Sequence, residues 1–214
     1  MVVLMVGAGK APTQELFMRH YRRCDYAIAV DGGLNAFYGE VPDLIVGDMD
    51  SAKKKLLEQF EQGATEFHFA PAEKDETDAM LALDIAVRKG ASKIVFLGAL
   101  GLRLDHELAN LMLLKRAYDR EVSLELVDEI QTVELNKGIF TVDGEIGQTV
   151  SLLPFESYAI VSAKGLQYPL QQLRLCNDNP QGISNVFTSD TAEIQTEQLL
   201  LVIKNNMEGY CDAY

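Results

Sequence analysis

Six short apolar runs punctuate the first two-thirds of the chain, at 2–6, 26–30, 44–46, 65–69, 93–97 and 122–127. As a set they lack regular polar alternation, the pattern of parallel strands covered on both faces. Segments with a helical period lie between them, at 13–24, 52–62, 77–89 and 105–118. The third carries Met80, Leu81, Leu83, Ile85 and Val87, and Gly90 follows its last turn, where a left-handed cap residue is favoured. This alternation predicts an α/β fold built on a doubly wound parallel sheet with helices on both faces.

After about residue 129 the pattern changes. Apolar stretches at 132–135, 138–142, 149–153, 158–162 and 199–203 are short, and no stretch has a helical period. Turn residues separate them, in Asn136-Lys137-Gly138, Asp143-Gly144 and 177–182. The expectation is an all-β second domain, a sandwich or a barrel, with domains spanning 1–130 and 131–214.

Composition narrows the partners. The 214 residues suffice for one large or two small domains with a sizeable core. The formal net charge of −13 argues against nucleic acid as a partner and against a polybasic membrane anchor. A small anionic substrate must then be met through a metal ion or a locally basic pocket. Cys24, Cys176 and Cys211 lie far apart, neither a zinc site nor a disulfide framework. The opening apolar run is too short for a secretory signal, and no run approaches a membrane span. The expected protein is cytoplasmic.

Candidate chemistry sits after the strands. Gly7-Ala8-Gly9, Asp31-Gly32-Gly33, Gly47-Asp48-Met49-Asp50-Ser51, 73–78 and 98–105 each follow one apolar run. Strand C-termini of a parallel sheet share one edge, where ligands bind, so these loops converge on one crevice. Asp48 and Asp50, two apart on extended backbone, would place carboxylates on one face roughly 6–7 Å apart. That pair suits Mg²⁺, a hard cation taking oxygen ligands while keeping waters for phosphates; the alternative is a helix cap. Asp78 opens a helix on the same edge, where the helix dipole also favours acid. Thr77 is a candidate cap, and Lys74 either meets a phosphate or is simply solvated. Amides at Gly7, Gly9, Gly32 and Gly33 either cradle phosphates or mark tight turns that need small residues. Arg103 either binds phosphate or pairs with Asp105. Gly7-Ala8-Gly9-Lys10 is no P-loop, because the spacing fails and Ala11 follows the lysine.

Taken in order, 30–35, 42–51, Lys74-Asp75-Glu76-Thr77-Asp78, 98–106, 151–154, Gly165-Leu166-Gln167-Tyr168-Pro169-Leu170 and Gly182-Ile183-Ser184-Asn185 resemble the thiamine pyrophosphokinase family over nearly the whole chain. The resemblance implies diphosphoryl transfer from ATP to thiamine, a β-sandwich second domain that binds thiamine and forms the dimer interface, and a homodimer with sites between subunits. It carries Asp48, Asp50 and Asp78 over as magnesium and catalytic carboxylates. Asp31 and Arg103, with Asp105 beside them, carry over to the nucleotide and phosphate site, and Ser184 and Asn185 to the thiamine side. Two positions depart from the family pattern: Leu102, where a glycine is usual, and Val186, where an acid is usual. The chain also has no Trp. The rival readings are another Mg²⁺-dependent nucleotide phosphotransferase and a non-catalytic nucleotide-binding module.

Overall fold

The computed structural model describes residues 1–47, 63, 65–69 and 76–206. The helix expected at 52–62 lies outside them. The chain divides into two compact units, Met1–Glu129 and Ile130–Tyr214.

In the first unit the described strands are β1 (Val2–Val6), β2 (Tyr26–Val30), β3 (Leu44–Gly47), β4 (Glu66–Phe69), β5 (Lys93–Leu97) and β6 (Ser123–Val127). They pair in parallel in the order β6-β5-β1-β2-β3-β4. Val3, Leu4, Met5 and Val6 are all buried, so both faces of β1 are covered, as its unbroken apolar run requires. Helix α1 (Gln14–Tyr21) is capped by the Thr13 hydroxyl, which accepts from the Leu16 amide. It packs Leu16 and Phe17 against Leu4, Val6, Ala27 and Ala29. It ends three residues short of the expected Cys24, and the unanticipated 3-10 segment Asp31–Ala36 follows β2. Helix α2 (Asp78–Arg88) packs on β2 and β3, and helix α3 (Leu104–Tyr118) on β6 and on α2. Gly90 takes the left-handed φ of +88° expected after α2.

An ion-pair network ties α2 to α3. The Arg116 guanidinium grips both Asp84 carboxylate oxygens, at 3.1 and 2.6 Å, and donates at 2.9 Å to Glu76. Arg120 approaches Asp84 at 3.4 Å.

The second unit has no helix among its described residues. Its strands are β7 (Gln131–Asp143), β8 (Thr149–Pro154), β9 (Tyr158–Lys164), β10 (Leu170–Cys176), β11 (Asn185–Val186) and β12 (Thr191–Asn205). The turn expected at Asn136-Lys137-Gly138 is not one. β7 runs unbroken through it, with Gly138 at a left-handed φ of +90° inside the strand. Opposite Gly138 the register of β12 shifts between Thr196 and Leu200. Before the shift β12 lies between β7 and β9, and after it between β7 and β8. Val142, Val150, Leu152, Val161, Phe187, Ile194 and Val202 fill the core so enclosed.

The α2–α3 tie predicts a pH dependence. Hydrogen bonding from Arg116 holds the Asp84 carboxyl below the usual carboxylate range, against the opposing effect of burial. The stabilisation is therefore present above the unfolded-state value near 4 and is lost as pH falls through the lower folded value. Asp84 is only 15 % exposed, and Asp84→Asn is expected to cost about 2 kcal/mol at pH 7. In urea unfolding, the gap between variant and wild type should narrow below about pH 4. A gap independent of pH would contradict the assignment.

Candidate active site at the sheet edge

From β1 the chain runs outward through β2, β3 and β4, then returns to β5 on the other side of β1. Strand order thus reverses at β1, and crevices form at such a reversal, beyond the strand C-termini. A cleft of about 480 Å³ opens there. Of the residues expected from sequence, Gly7, Gly9, Asp31, Thr77, Asp78 and Arg103 line it. Asp48, Asp50 and Lys74 lie outside the described residues.

Two loops interlock at the cleft floor. The Gly7 amide donates to the Leu97 carbonyl, Gly9 to Gly98 and Lys10 to Leu100, each at 2.8 Å. The amides of Gly7 and Gly9 are thereby committed to the loop–loop contact. Of the two roles open to these glycines, close approach is the one on display. A Cβ on Gly7 would sit 2.8 Å from the Gly98 oxygen, and one on Gly9 2.7 Å from the Leu100 oxygen. Gly33, inside the 3-10 segment that Gly32 helps to open, presses on the Val6 carbonyl so closely that any Cβ would collide with it.

Charged side chains ring this floor. Asp31 leaves β2 with a left-handed φ of +50°, its carboxylate packed against Gly47. The Thr77 hydroxyl accepts the Met80 amide at 3.2 Å, so it caps α2 and sets Asp78 as the first helical residue, partly exposed in the cleft. Arg103, at the N-cap of α3, forks onto Asp105 through bonds of 3.1 and 2.6 Å. That fork holds the Asp105 carboxyl below its usual range and raises the arginine further. The ion pair left open by the sequence therefore forms. Both partners are well exposed, so the pair is screened by solvent and contributes little to stability.

The loop carrying Arg103 is clamped by its own helix. Glu107 accepts the Gly101 amide at 3.0 Å, and Asn110 donates to the Ala99 carbonyl at 2.7 Å. Leu102, one of the departures from the family pattern, is 69 % exposed and lines the cleft. Its backbone is not left-handed, so the side chain there causes no strain.

Glu76 also lines the cleft, and sequence reading assigned it no role. Its contact with Arg116, forty residues on, left no local signal. Among the described residues no three His, Cys, Asp or Glu side chains gather closely enough to hold a metal.

In the second unit, Ser184 has a left-handed φ of +55°, and its amide donates to the Ser151 hydroxyl at 3.0 Å. Asn185 is only 5 % exposed. Its side-chain oxygen accepts the amides of Tyr168 and Val186 at 3.0 and 2.9 Å, and its nitrogen donates to the Tyr168 carbonyl at 2.8 Å. Asn185 is thus a clamp on the 165–169 loop. The clamp presents Tyr168, 59 % exposed, to solvent.

Comparison with known proteins covers both units. The family model "Thiamin pyrophosphokinase, catalytic domain" matches residues 17–126, and "Thiamin pyrophosphokinase, vitamin B1 binding domain" matches 129–201. Thiamine pyrophosphokinase of Bacillus subtilis is 31% identical over 150 residues, covering 69% of this chain and 70% of that protein. The crystal structure of thiamine pyrophosphokinase from Bacillus subtilis superposes with a TM-score of 0.84 at 25% identity, covering 97% of this chain and all of the other. That of Geobacillus thermodenitrificans gives 0.83 at 29% identity, covering 99% of this chain and all of the other.

The clamp generates a prediction. Asn185→Ala strips partners from the backbone on both sides of Tyr168 and is expected to cost about 2–3 kcal/mol in chemical denaturation. Ser184→Gly, which relieves a left-handed non-glycine residue, should leave stability unchanged or raised. Equal losses from both substitutions would contradict the assignment of the clamp to Asn185.

Proposed function

The chain belongs to the thiamin pyrophosphokinase family, and from that premise we infer that it transfers a diphosphoryl group from ATP to the hydroxyl of thiamine. The products are thiamine diphosphate and AMP. The observation that carries the reading is a cleft at the strand-order reversal of a parallel sheet, with Asp78 and Arg103 in its walls, in a chain matched by both family domains.

The thiamine hydroxyl oxygen bonds to the β-phosphorus while the bond from that phosphorus to the α,β-bridging oxygen breaks. AMP leaves with the α-phosphate, and the hydroxyl proton passes to a carboxylate. Described residues in the cleft wall include four carboxylates (Asp31, Glu76, Asp78 and Glu107) against one guanidinium, Arg103. A polyphosphate would be repelled there without added positive charge, and oxygen donors of this kind suit a hard divalent cation. We assign Mg²⁺ to Asp78 together with Asp48 and Asp50, where it would neutralise the phosphates and polarise the attacked phosphorus. Arg103 can exchange Asp105 for a phosphate oxygen, moving its charge onto the transferring group. Lys74 adds a second cation, and Asp31 with the Gly32-Gly33 turn borders the nucleotide.

The same reading makes residues 1–130 a doubly wound catalytic domain and 131–214 a β-sandwich that binds thiamine and forms the dimer. The exposed face of Tyr168 offers a surface for a cationic aromatic substrate, a contact that a tryptophan-free chain must make with Phe or Tyr. In the homodimer so inferred, the Ser184–Asn185 loop of one subunit completes the site of the other. Activity regained on mixing inactive Asp50→Asn and Ser184→Trp subunits supports that sharing, and no recovery after proven subunit exchange opposes it. The dispersed cysteines fit a cytoplasmic enzyme.

Incubation with ATP, Mg²⁺ and thiamine is expected to give thiamine diphosphate and AMP in equal amounts. Thiamine monophosphate with ADP would identify a simple kinase. Binding of ATP with no turnover would identify a nucleotide-binding module.

A further inference from the structure

Arg116 lies in the last turn of α3, away from the strand edge, yet its guanidinium reaches the residue two before Asp78. It grips both oxygens of Asp84 in α2, and the nitrogen at 2.6 Å from Asp84 also donates at 2.9 Å to Glu76. Glu76 directly precedes Thr77, whose hydroxyl caps α2, and Asp78 follows. One planar cation therefore pins both the second turn of α2 and the side chain of Glu76, two residues ahead of that helix. Only a forked guanidinium serves two carboxylates in this way; an ammonium offers a point charge. The same helix, α3, begins at Arg103 and clamps the 98–103 loop through Glu107 and Asn110. Both cleft walls are thus referred to one rigid element.

We propose that Arg116 is a positioning residue for the reaction, holding the Glu76–Thr77 entry to α2 so that the Asp78 carboxylate keeps a fixed place opposite Arg103. The proposal rests on the reading of Asp78 as a reacting-site carboxylate. Loosening the entry lets Asp78 wander, and displacements near 1 Å from a remote change cost up to about a hundredfold in rate. Thiamine affinity is governed elsewhere and is not involved.

The test compares Arg116→Met, Arg116→Lys, Glu76→Gln, the double variant Arg116→Met with Glu76→Gln, and Asp78→Asn, each as the full chain. Arg116→Met is expected to lower kcat roughly ten- to a hundredfold. The thiamine KM should stay within about twofold, and the Mg²⁺ concentration for half-maximal rate should rise. Arg116→Lys should fall between, and Glu76→Gln should add nothing to the change in Met80 amide exchange caused by Arg116→Met, because the contact it removes is already broken. Without metal or substrate, hydrogen exchange of the Met80 amide, bonded to Thr77, should speed up in Arg116→Met.

A lowered melting temperature with kcat, metal dependence and Met80 exchange unchanged would overturn the proposal and leave Arg116 a helix tie. Additive effects of Arg116→Met and Glu76→Gln on Met80 amide exchange would overturn it as well. If Arg116→Met fails to fold, Glu76→Gln, at an exposed side chain, decides by the same kcat and exchange readouts. Full turnover by Asp78→Asn would overturn the premise itself. That result is distinguishable, since the Met80 exchange rate reports the tie whatever Asp78 does.

Discussion

Everything in the first unit depends on how closely two loops can approach where strand order reverses. Gly7 and Gly9 lie against the Gly98–Leu100 backbone with no room for a Cβ, and three amide–carbonyl bonds of 2.8 Å run from Gly7, Gly9 and Lys10 to Leu97, Gly98 and Leu100. β1 and β5 are buried on both faces, so their ends cannot shift to make room. Closure there commits the Gly7, Gly9 and Lys10 amides to the loop contact and takes them away as ligand donors. Asp31, Asp78 and Arg103 then line a cleft whose floor is shaped by the close approach at Gly7 and Gly9.

The wall is electrostatically unbalanced, and the imbalance links structure to chemistry. Among the described residues, carboxylates outnumber the one guanidinium that lines the cleft, and that guanidinium already pairs with Asp105. A polyphosphate gains little from such a surface unless cations enter with it. A thiazolium cation meets no such barrier in a chain of net charge −13. One acidic cleft can therefore draw the cationic acceptor directly and make the anionic donor depend on metal.

How much was legible in the sequence follows from which interactions are local. Apolar runs located all six strands of the first unit to within a residue, because strands buried in a parallel sheet leave an unbroken signature. Thr77 and Gly90 marked the ends of α2, since caps act within a turn. The second unit was read less well. Asn136-Lys137-Gly138 carries turn chemistry, yet long-range pairing with β12 kept β7 extended through it. β10 and most of β12 escaped notice because exposed polar residues interrupt their apolar pattern. At the site, motif order led to Gly7, Gly9, Asp31, Thr77, Asp78 and Arg103 in the cleft lining, whereas Gly32, Gly33 and Asp105 are not part of it. Asn185 proved a clamp for Tyr168, and the Arg116 tie to Glu76 spans forty residues that no local pattern connects.

If the acidic wall needs a divalent cation before it can hold ATP, calorimetric titration of the full chain with ATP, once with Mg²⁺ and once with EDTA, will separate the two conditions. The dissociation constant without metal is expected to be at least about tenfold weaker, a difference of roughly 1.4 kcal/mol or more. Equal affinity under both conditions would mean that the chain's own cations suffice, and the metal requirement would fall.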